Sequence, residues 1–125
     1  MTRILITGKD SYIGRCFLSH VSGLPDFFVE ELDVQKDTWK SHDFSQYDVI
    51  FHVAAIVHLS NPSSEMASVY QRVNTQLPFD LAQKAKKEGV SQFIFMSSMS
   101  VYGEIKGPGV ITRDTIPAPQ SMYGK

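Results

Sequence analysis

The residues best suited to chemistry lie near the N-terminus. The segment Thr7-Gly-Lys-Asp-Ser-Tyr-Ile-Gly14 has glycines at its second and last positions and follows a short apolar run. A tight turn between a strand and a helix lets backbone N–H groups and the helix N-terminus face a pyrophosphate. Gly8 would make that turn, and Gly14 would allow the helix to pack closely on the strand. This pattern predicts a site for a dinucleotide.

Asp33 strengthens this prediction and indicates which dinucleotide is bound. It lies nineteen residues after Gly14, close to the spacing at which an acid accepts a hydrogen bond from an adenosine ribose hydroxyl. A carboxylate there would repel a 2′-phosphate, so the sequence predicts NAD rather than NADP, with Lys36 as the only nearby cation to weaken the preference. Ser11 departs from the pattern because it stands where a middle glycine is usual. Its side chain would either crowd the phosphate or donate a hydrogen bond to it.

The elements that position these residues follow from the spacing of apolar side chains. Short β-branched and apolar runs predict strands, and apolar residues three or four apart predict helices. The predicted strands cover 3–7, 27–34, 42–44 (very short at best), 48–55 and 92–96, and the predicted helices cover 11–21 and 66–88. The run at 48–55 is almost continuously apolar, as in a strand buried on both faces. We therefore predict an α/β fold, a Rossmann-type doubly wound parallel sheet with strand order 3-2-1-4-5.

Length and composition exclude several classes of protein. The 125 residues are 42% hydrophobic and 20% charged, which suits one packed domain. Twelve basic and thirteen acidic residues leave no basic face, so neither a nucleic-acid partner nor a membrane partner is expected. Cys16 is the only cysteine, which excludes an internal disulfide and favours a reducing, cytoplasmic compartment. The four histidines are scattered, and no metal site is expected.

Four motifs, in order along the chain, together resemble the extended short-chain dehydrogenases/reductases, the NAD-dependent epimerase/dehydratase family. Residues 7–14 resemble the family's TGxxGxxG fingerprint, and residues 51–55 resemble its HxAA segment. Residues 97–103 resemble its serine-bearing strand end followed by Val-Tyr-Gly. Residues 121–125 resemble the start of its YxxxK helix. Because the matches span the whole chain, they are specific as a set.

The resemblance implies three catalytic residues. In this family a tyrosine phenol exchanges a proton with a sugar hydroxyl, and a serine or threonine hydroxyl bonds the same oxygen. Tyr123 and Ser98 match these positions. Asn74 matches the family's active-site asparagine and lies on the apolar face of the long helix, where it should be hydrogen-bonded. Pro78 lacks an N–H and would leave the Asn74 carbonyl free to hold a water, although a kink without function is the alternative.

The resemblance also implies how the cofactor, NAD, is bound. Asp43 and Phe44 resemble the family's acid-plus-apolar pair at the adenine, where the carboxylate accepts from the exocyclic amine. The other contacts are expected in the loops at the carboxyl ends of the strands. The expected cofactor-binding residues are Gly8, Ser11, Tyr12, Ile13, Gly14, Asp33, Asp43, Phe44, Ala54 and Ala55.

Met99 and Ser100 discriminate among the reactions of the family. Its nucleotide-sugar dehydratases carry Asp-Glu at these positions, and neither residue present here transfers a proton at neutral pH. The expected activity is therefore NAD-dependent epimerisation of a UDP-sugar through a keto intermediate, in surface-polysaccharide synthesis and by a homodimer. A ketoreductase of the same family and a non-catalytic NAD-sensing protein are the alternatives. Ser11 favours the NAD sensor, and the retained Ser98 and Tyr123 oppose it.

The family's lysine, four residues after the tyrosine, would fall two positions beyond Lys125. Lys125 itself is about 200° around a helix from Tyr123, so we expect it not to stand beside the phenol. The substrate-binding domain would also lie beyond this point. We therefore expect residues 1–125 to form an NAD(P)-binding Rossmann domain interrupted within the YxxxK motif, and to be inactive by themselves.

Overall fold

A four-stranded sheet forms the centre of the computed structural model, which describes residues 1–57, 64–103 and 109–125. The strands run in the order β2-β1-β3-β4, and every neighbouring pair is parallel. Parallel neighbours need crossover connections, which hold the helices. The predicted parallel α/β architecture is confirmed. The strands are β1 (Thr2–Thr7), β2 (Phe27–Leu32), β3 (Val49–His52) and β4 (Gln92–Phe95).

Both faces of the sheet are covered, which explains the nearly continuous apolar runs in β1 and β3. On one face, α1 (Tyr12–Val21) packs through Phe17, whose ring meets that of Phe51 edge-on at 5.1 Å. On the other face, α3 (Leu77–Lys87) buries Leu81 in a larger core. That core contains Leu5, Val34, Trp39, Phe44, Tyr47, Ile50, Leu81 and Ala85.

The long predicted helix is present but is not uniform. It consists of α2 (Ser64–Tyr70), a π-helical segment (Gln71–Gln76) and α3. At the end of the π-helical segment, Leu77 donates its N–H to the carbonyl of Arg72, five residues earlier. Such π-helical turns within α-helices occur frequently at functional sites. In the part of the chain that the structure describes, no helix combines the length and the apolar character needed to cross a membrane.

The predicted strand at residues 42–44 is wrong, because this segment is a loop. The sheet therefore lacks the outermost strand of the order 3-2-1-4-5 over the described residues. The Asp43 carboxylate accepts the Ser45 N–H at 2.9 Å and the Ser45 hydroxyl at 2.6 Å, which bends the backbone. The Phe44 N–H, which a strand would give to a neighbour, donates instead to Glu88 at the end of α3, at 2.6 Å.

Candidate active site

The turn between β1 and α1 holds its shape through Gly8. This residue has a φ of 129°, where a side chain is strained, and a Cβ would lie 2.7 Å from the backbone N of Ala54. Its N–H donates to the Leu32 carbonyl at 3.1 Å, which ties the turn to the end of β2. A Cβ on Gly14 would lie 3.1 Å from Ile6, so α1 approaches β1 closely at that point.

Ser11 is the N-cap of α1. Its Oγ accepts the Gly14 N–H at 3.1 Å, as N-cap hydroxyls do. The hydroxyl hydrogen has no acceptor within the described ranges 1–57, 64–103 and 109–125. Ser11 can therefore cap the helix and donate a hydrogen bond to a bound anion at the same time. Asp10, immediately before it, has a φ of 63°, so the turn tolerates a left-handed residue without glycine.

A cleft of about 330 Å³ opens beside this turn at the carboxyl ends of β1 and β2. Asp33 follows β2 directly, and its carboxylate accepts the N–H of Gln35 at 2.9 Å while staying exposed. Lys9 also lines the cleft, whereas Lys36 does not. The sequence analysis did not identify Lys9, Val34 and Gln35 as cleft residues. The signal that could have identified them is their position in the chain next to Gly8 and Asp33. The structure brings together Gly8, Lys9, Ser11, Asp33, Val34, Gln35, Ala54 and Ala55.

Five of the expected cofactor residues do not line this cleft: Tyr12, Ile13, Gly14, Asp43 and Phe44. Tyr12 is 83% exposed and lines a separate shallow depression on the outer side of α1, and Ile13 is also exposed. Asp43 lies outside the cleft, and the pKa of its carboxyl is lowered mainly because the Ser45 hydroxyl donates to it. The Phe44 side chain is fully buried in the core. No part of the Phe44 ring is accessible, and the roles of Asp43 and Phe44 at a bound adenine stay predictions.

The loop that follows β3 lies between the cleft at the glycine turn and a second, larger cleft. The N–H groups of Val53 and Ala54 both donate to the Thr7 carbonyl, at 3.0 and 3.1 Å, which ends the strand and turns the chain toward Gly8. His52 is buried beneath this loop, with its Nδ1 2.8 Å from the Thr7 hydroxyl oxygen. Its Nε2 has no hydrogen-bond partner among the described residues. Burial lowers the pKa of His52 to about 4, so its ring is neutral at pH 7.

Asn74 fixes the far end of the same loop. Its side-chain amide accepts the Ile56 N–H and donates to the Ile56 carbonyl, both at 2.9 Å. The predicted hydrogen bonding of Asn74 is thus observed. The helix around Asn74 is π-helical, and the predicted free carbonyl of Asn74 stays a prediction. Leu77 donates to Arg72, five residues earlier, so the hydrogen-bond register changes immediately before Pro78.

A second cleft, of about 690 Å³, contains the three predicted catalytic residues, Ser98, Tyr123 and Asn74. Ser98 begins the short 3₁₀ turn Met99–Tyr102, and its Oγ accepts the Ser100 N–H at 3.1 Å. This bond fixes the rotamer of the Ser98 side chain. Phe93, Phe95 and Met96 contribute apolar lining from β4 and the residue after it.

Tyr123 lies in a single turn whose first residue is Ser121. The Ser121 hydroxyl oxygen accepts the Gly124 N–H at 3.0 Å, and the Ser121 carbonyl accepts the Lys125 N–H at 3.1 Å. These bonds are those of a capped first helical turn. Lys125 lines the same cleft as Tyr123.

The two clefts adjoin, because Ala54 and Ala55 line both of them. A ligand held at the glycine turn can therefore extend past these small side chains toward Ser98 and Tyr123. A hydroxyl and a phenol in a partly apolar cleft are suited to exchanging a proton with a substrate hydroxyl. Among the residues that the structure describes, no three His, Cys, Asp or Glu side chains come together as metal ligands would.

Comparison with known proteins agrees with this geometry. The sequence model described as the NAD dependent epimerase/dehydratase family matches residues 4–125. The UDP-glucose 4-epimerase of Vibrio cholerae is 32% identical over 123 residues, which cover 95% of this chain and 37% of that protein. The chain thus spans well under half the length of this relative.

Solved structures show the same fold. The UDP-glucuronic acid 4-epimerase from Bacillus cereus, in complex with NAD, aligns with a TM-score of 0.79 at 23% identity, covering 98% of this chain and 48% of that one. The UDP-Glc/GlcNAc 4-epimerase from Campylobacter jejuni aligns with a TM-score of 0.79 at 26% identity, covering 99% and 45%. With a family match over nearly its whole length, the chain belongs to the NAD-dependent epimerase/dehydratase family.

Proposed function

We propose that this chain contains the cofactor site and the proton-transfer residues of an NAD-dependent nucleotide-sugar 4-epimerase that acts on a UDP-sugar. The observation that carries the proposal is the placement of Ser98 and Tyr123 in one cleft, joined to the glycine-turn cleft at Ala54 and Ala55. The related 4-epimerases support the choice of reaction.

The smaller cleft fits the adenosine and pyrophosphate parts of NAD. Gly8 keeps the backbone accessible where a Cβ would collide with Ala54, and Ser11 has a hydroxyl hydrogen to donate to a phosphate oxygen. The exposed Asp33 carboxylate is placed to accept hydrogen bonds from ribose hydroxyls, and Lys9 offers a positive charge beside the same turn. When bound, NAD supplies reversible hydride transfer at the sugar carbon.

The larger cleft supplies the proton chemistry. The Tyr123 phenol oxygen would take the proton of the sugar 4-hydroxyl during oxidation at C4 to a 4-keto sugar, with bound NAD as the hydride acceptor. Ser98 donates a hydrogen bond to the same oxygen, and the Ser100 N–H holds its Oγ in place. Reduction from the opposite face of the ketone, with Tyr123 returning the proton, would give the epimer. No atom is gained or lost over the cycle.

Dehydration is not supported by the residues that follow Ser98. β-Elimination of water needs its own acid and base, and the positions concerned are Met99 and Ser100. The homodimer and the role in surface-polysaccharide synthesis, expected from the family resemblance, stay predictions, as does the cytoplasmic location expected from the single cysteine. Light scattering on the purified protein would test the homodimer.

The experiment that tests the proposal compares Tyr123→Phe with Tyr102→Phe in the protein that carries this sequence. Tyr102 is in the same region but does not line the cleft. Incubation with NAD and UDP-glucose, UDP-glucuronic acid or UDP-N-acetylglucosamine is followed by proton NMR for the C4 epimer. We expect Tyr123→Phe to lose at least about a hundredfold in rate and Tyr102→Phe to retain it. Full activity in Tyr123→Phe contradicts the proposal, and net NADH consumption with a keto sugar, without epimerisation, indicates a ketoreductase.

A further inference from the structure

Two backbone segments meet at the mouth of the larger cleft. The serine turn (residues 98–103) carries Ser98, and the tyrosine segment (residues 118–124) carries Tyr123. The N–H of Ala118 donates to the Val101 carbonyl at 3.0 Å, which fastens one end of the tyrosine segment to the serine turn. At the other end, Gly124 lies directly against Ser100.

The contact at Gly124 leaves no room for a side chain. A Cβ built on Gly124 would overlap the Ser100 carbonyl oxygen and lie 3.0 Å from its carbonyl carbon. These are backbone atoms, so they cannot rotate aside as the end of a flexible side chain could. Any side chain at residue 124 must therefore move one segment relative to the other.

Ser100 also holds the side chain of Ser98. Its N–H donates to the Ser98 Oγ at 3.1 Å, and its own Oγ lies 3.2 Å from that atom. Its carbonyl accepts the Gly103 N–H at 3.2 Å, so the residue is fixed within the turn. Ser100 thus contacts both the Ser98 hydroxyl, the proposed hydrogen-bond donor, and the backbone of Gly124, which follows the proposed proton acceptor Tyr123.

We propose that Ser100 and Gly124 are positioning residues whose backbone contact sets the placement of the Tyr123 phenol relative to the Ser98 hydroxyl. The inference rests on the proposed epimerase function and adds to it the residues that hold the pair. Neither residue is assigned a contact with the sugar or the cofactor. Misplacing a reacting group by about 1 Å is enough to cost roughly a hundredfold in rate.

The test uses Gly124→Ala, with Gly23→Ala as the matched control. Gly23 has a φ of 88°, but a Cβ there meets no atom within 4 Å. In the protein that carries this sequence, we expect Gly124→Ala to lower kcat by roughly ten- to a hundredfold. The Kd for NAD should stay within about twofold, because the glycine turn lies in the other cleft. Gly23→Ala should keep kcat.

Ser100 is tested by paired substitutions. Ser100→Ala removes the Oγ contact but keeps the N–H and carbonyl, so kcat should fall only a few-fold, and Ser100→Thr, which restores a hydroxyl, should recover it. A loss in Ser100→Ala as large as in Gly124→Ala would contradict the assignment of positioning to the backbone contact.

A readout independent of turnover separates this inference from the proposed function. In amide NMR spectra, Gly124→Ala should shift the signals of residues 98–103 together with those of 121–125, and leave those of Gly8 and Gly14 in place. If these shifts appear in a protein without epimerase activity, the proposed function fails and the backbone contact is upheld. Unshifted signals at 98–103, or a kcat for Gly124→Ala within twofold of the unmodified protein, overturn the inference.

Discussion

Replacing Asp33 by alanine should weaken NAD binding far more than it affects folding. The Asp33 side chain is exposed at the end of β2, in the cleft that also contains Gly8 and Ser11. Its only hydrogen bond in the described structure is the local one from the Gln35 N–H, at 2.9 Å. The substitution therefore removes little from the folded chain itself and mainly removes an acceptor for ribose hydroxyls.

The magnitude follows from the strength of a charge-assisted hydrogen bond. A hydrogen bond to a charged partner contributes about 1–3 kcal/mol, which corresponds to a roughly 5- to 150-fold rise in the Kd for NAD. Asp33→Asn keeps an oxygen for the Gln35 N–H while removing the charge, so it should lose part of this amount. In both variants the affinity for NADP relative to that for NAD should rise above that of the unmodified protein, because the carboxylate that repels a 2′-phosphate is gone.

Isothermal titration with NAD and NADP measures both effects. Asp26→Asn is the matched control, since Asp26 is exposed and lies before β2, at the opposite end of that strand. An unchanged NAD affinity in Asp33→Ala would refute the reasoning. So would equal affinities of the unmodified protein for NAD and NADP.

Three further predictions concern the residues around the loop after β3. Gly8→Ala should destabilise the fold by about 1–3 kcal/mol in urea unfolding, because the new Cβ is strained at a φ of 129° and collides with the Ala54 backbone; unchanged stability would mean that the turn relaxes. The pKa of His52 is about 4 when folded and 6.5 when exposed, so the contribution of the neutral ring to the free energy of unfolding is fully present above pH 6.5 and is lost as the pH falls toward 4, by up to about 3 kcal/mol. His52→Phe should flatten the dependence of stability on pH over this interval, and an unaltered dependence would contradict this prediction. Asn74→Ala removes both hydrogen bonds to Ile56 and should cost about 1–3 kcal/mol in thermal unfolding, whereas a loss below about 0.5 kcal/mol would show that the loop finds other partners.

Much of the architecture could be predicted because local pattern and tertiary environment agree. The apolar runs of β1 and β3 match strands covered on both faces, and the spacing of apolar residues after Met66 matches a helix packed on the sheet. The acid after β2 and the glycines after β1 also lie where their spacing indicates. In each case the signal is contained in a few neighbouring residues.

The errors arise where distant residues decide the outcome. Residues 42–44 are too few to define a period, and their conformation depends on Glu88, far away in the chain. Periodicity also marks a helix without revealing whether its hydrogen bonds span four or five residues, so the π-helical register at Asn74 could not be foreseen. The contact between Gly124 and Ser100 is likewise formed only by the fold.

The most direct test of the central claim is to follow the C4 hydrogen of the sugar through the reaction. We propose that the two adjoining clefts act as one site, in which Tyr123 would carry the proton and bound NAD would supply reversible hydride transfer at C4. The protein that carries this sequence would be incubated with NAD and UDP-glucose labelled with deuterium at C4, and the product examined by NMR. We predict a C4 epimer that keeps its deuterium. No conversion, or an epimer whose deuterium has exchanged with water, would contradict it.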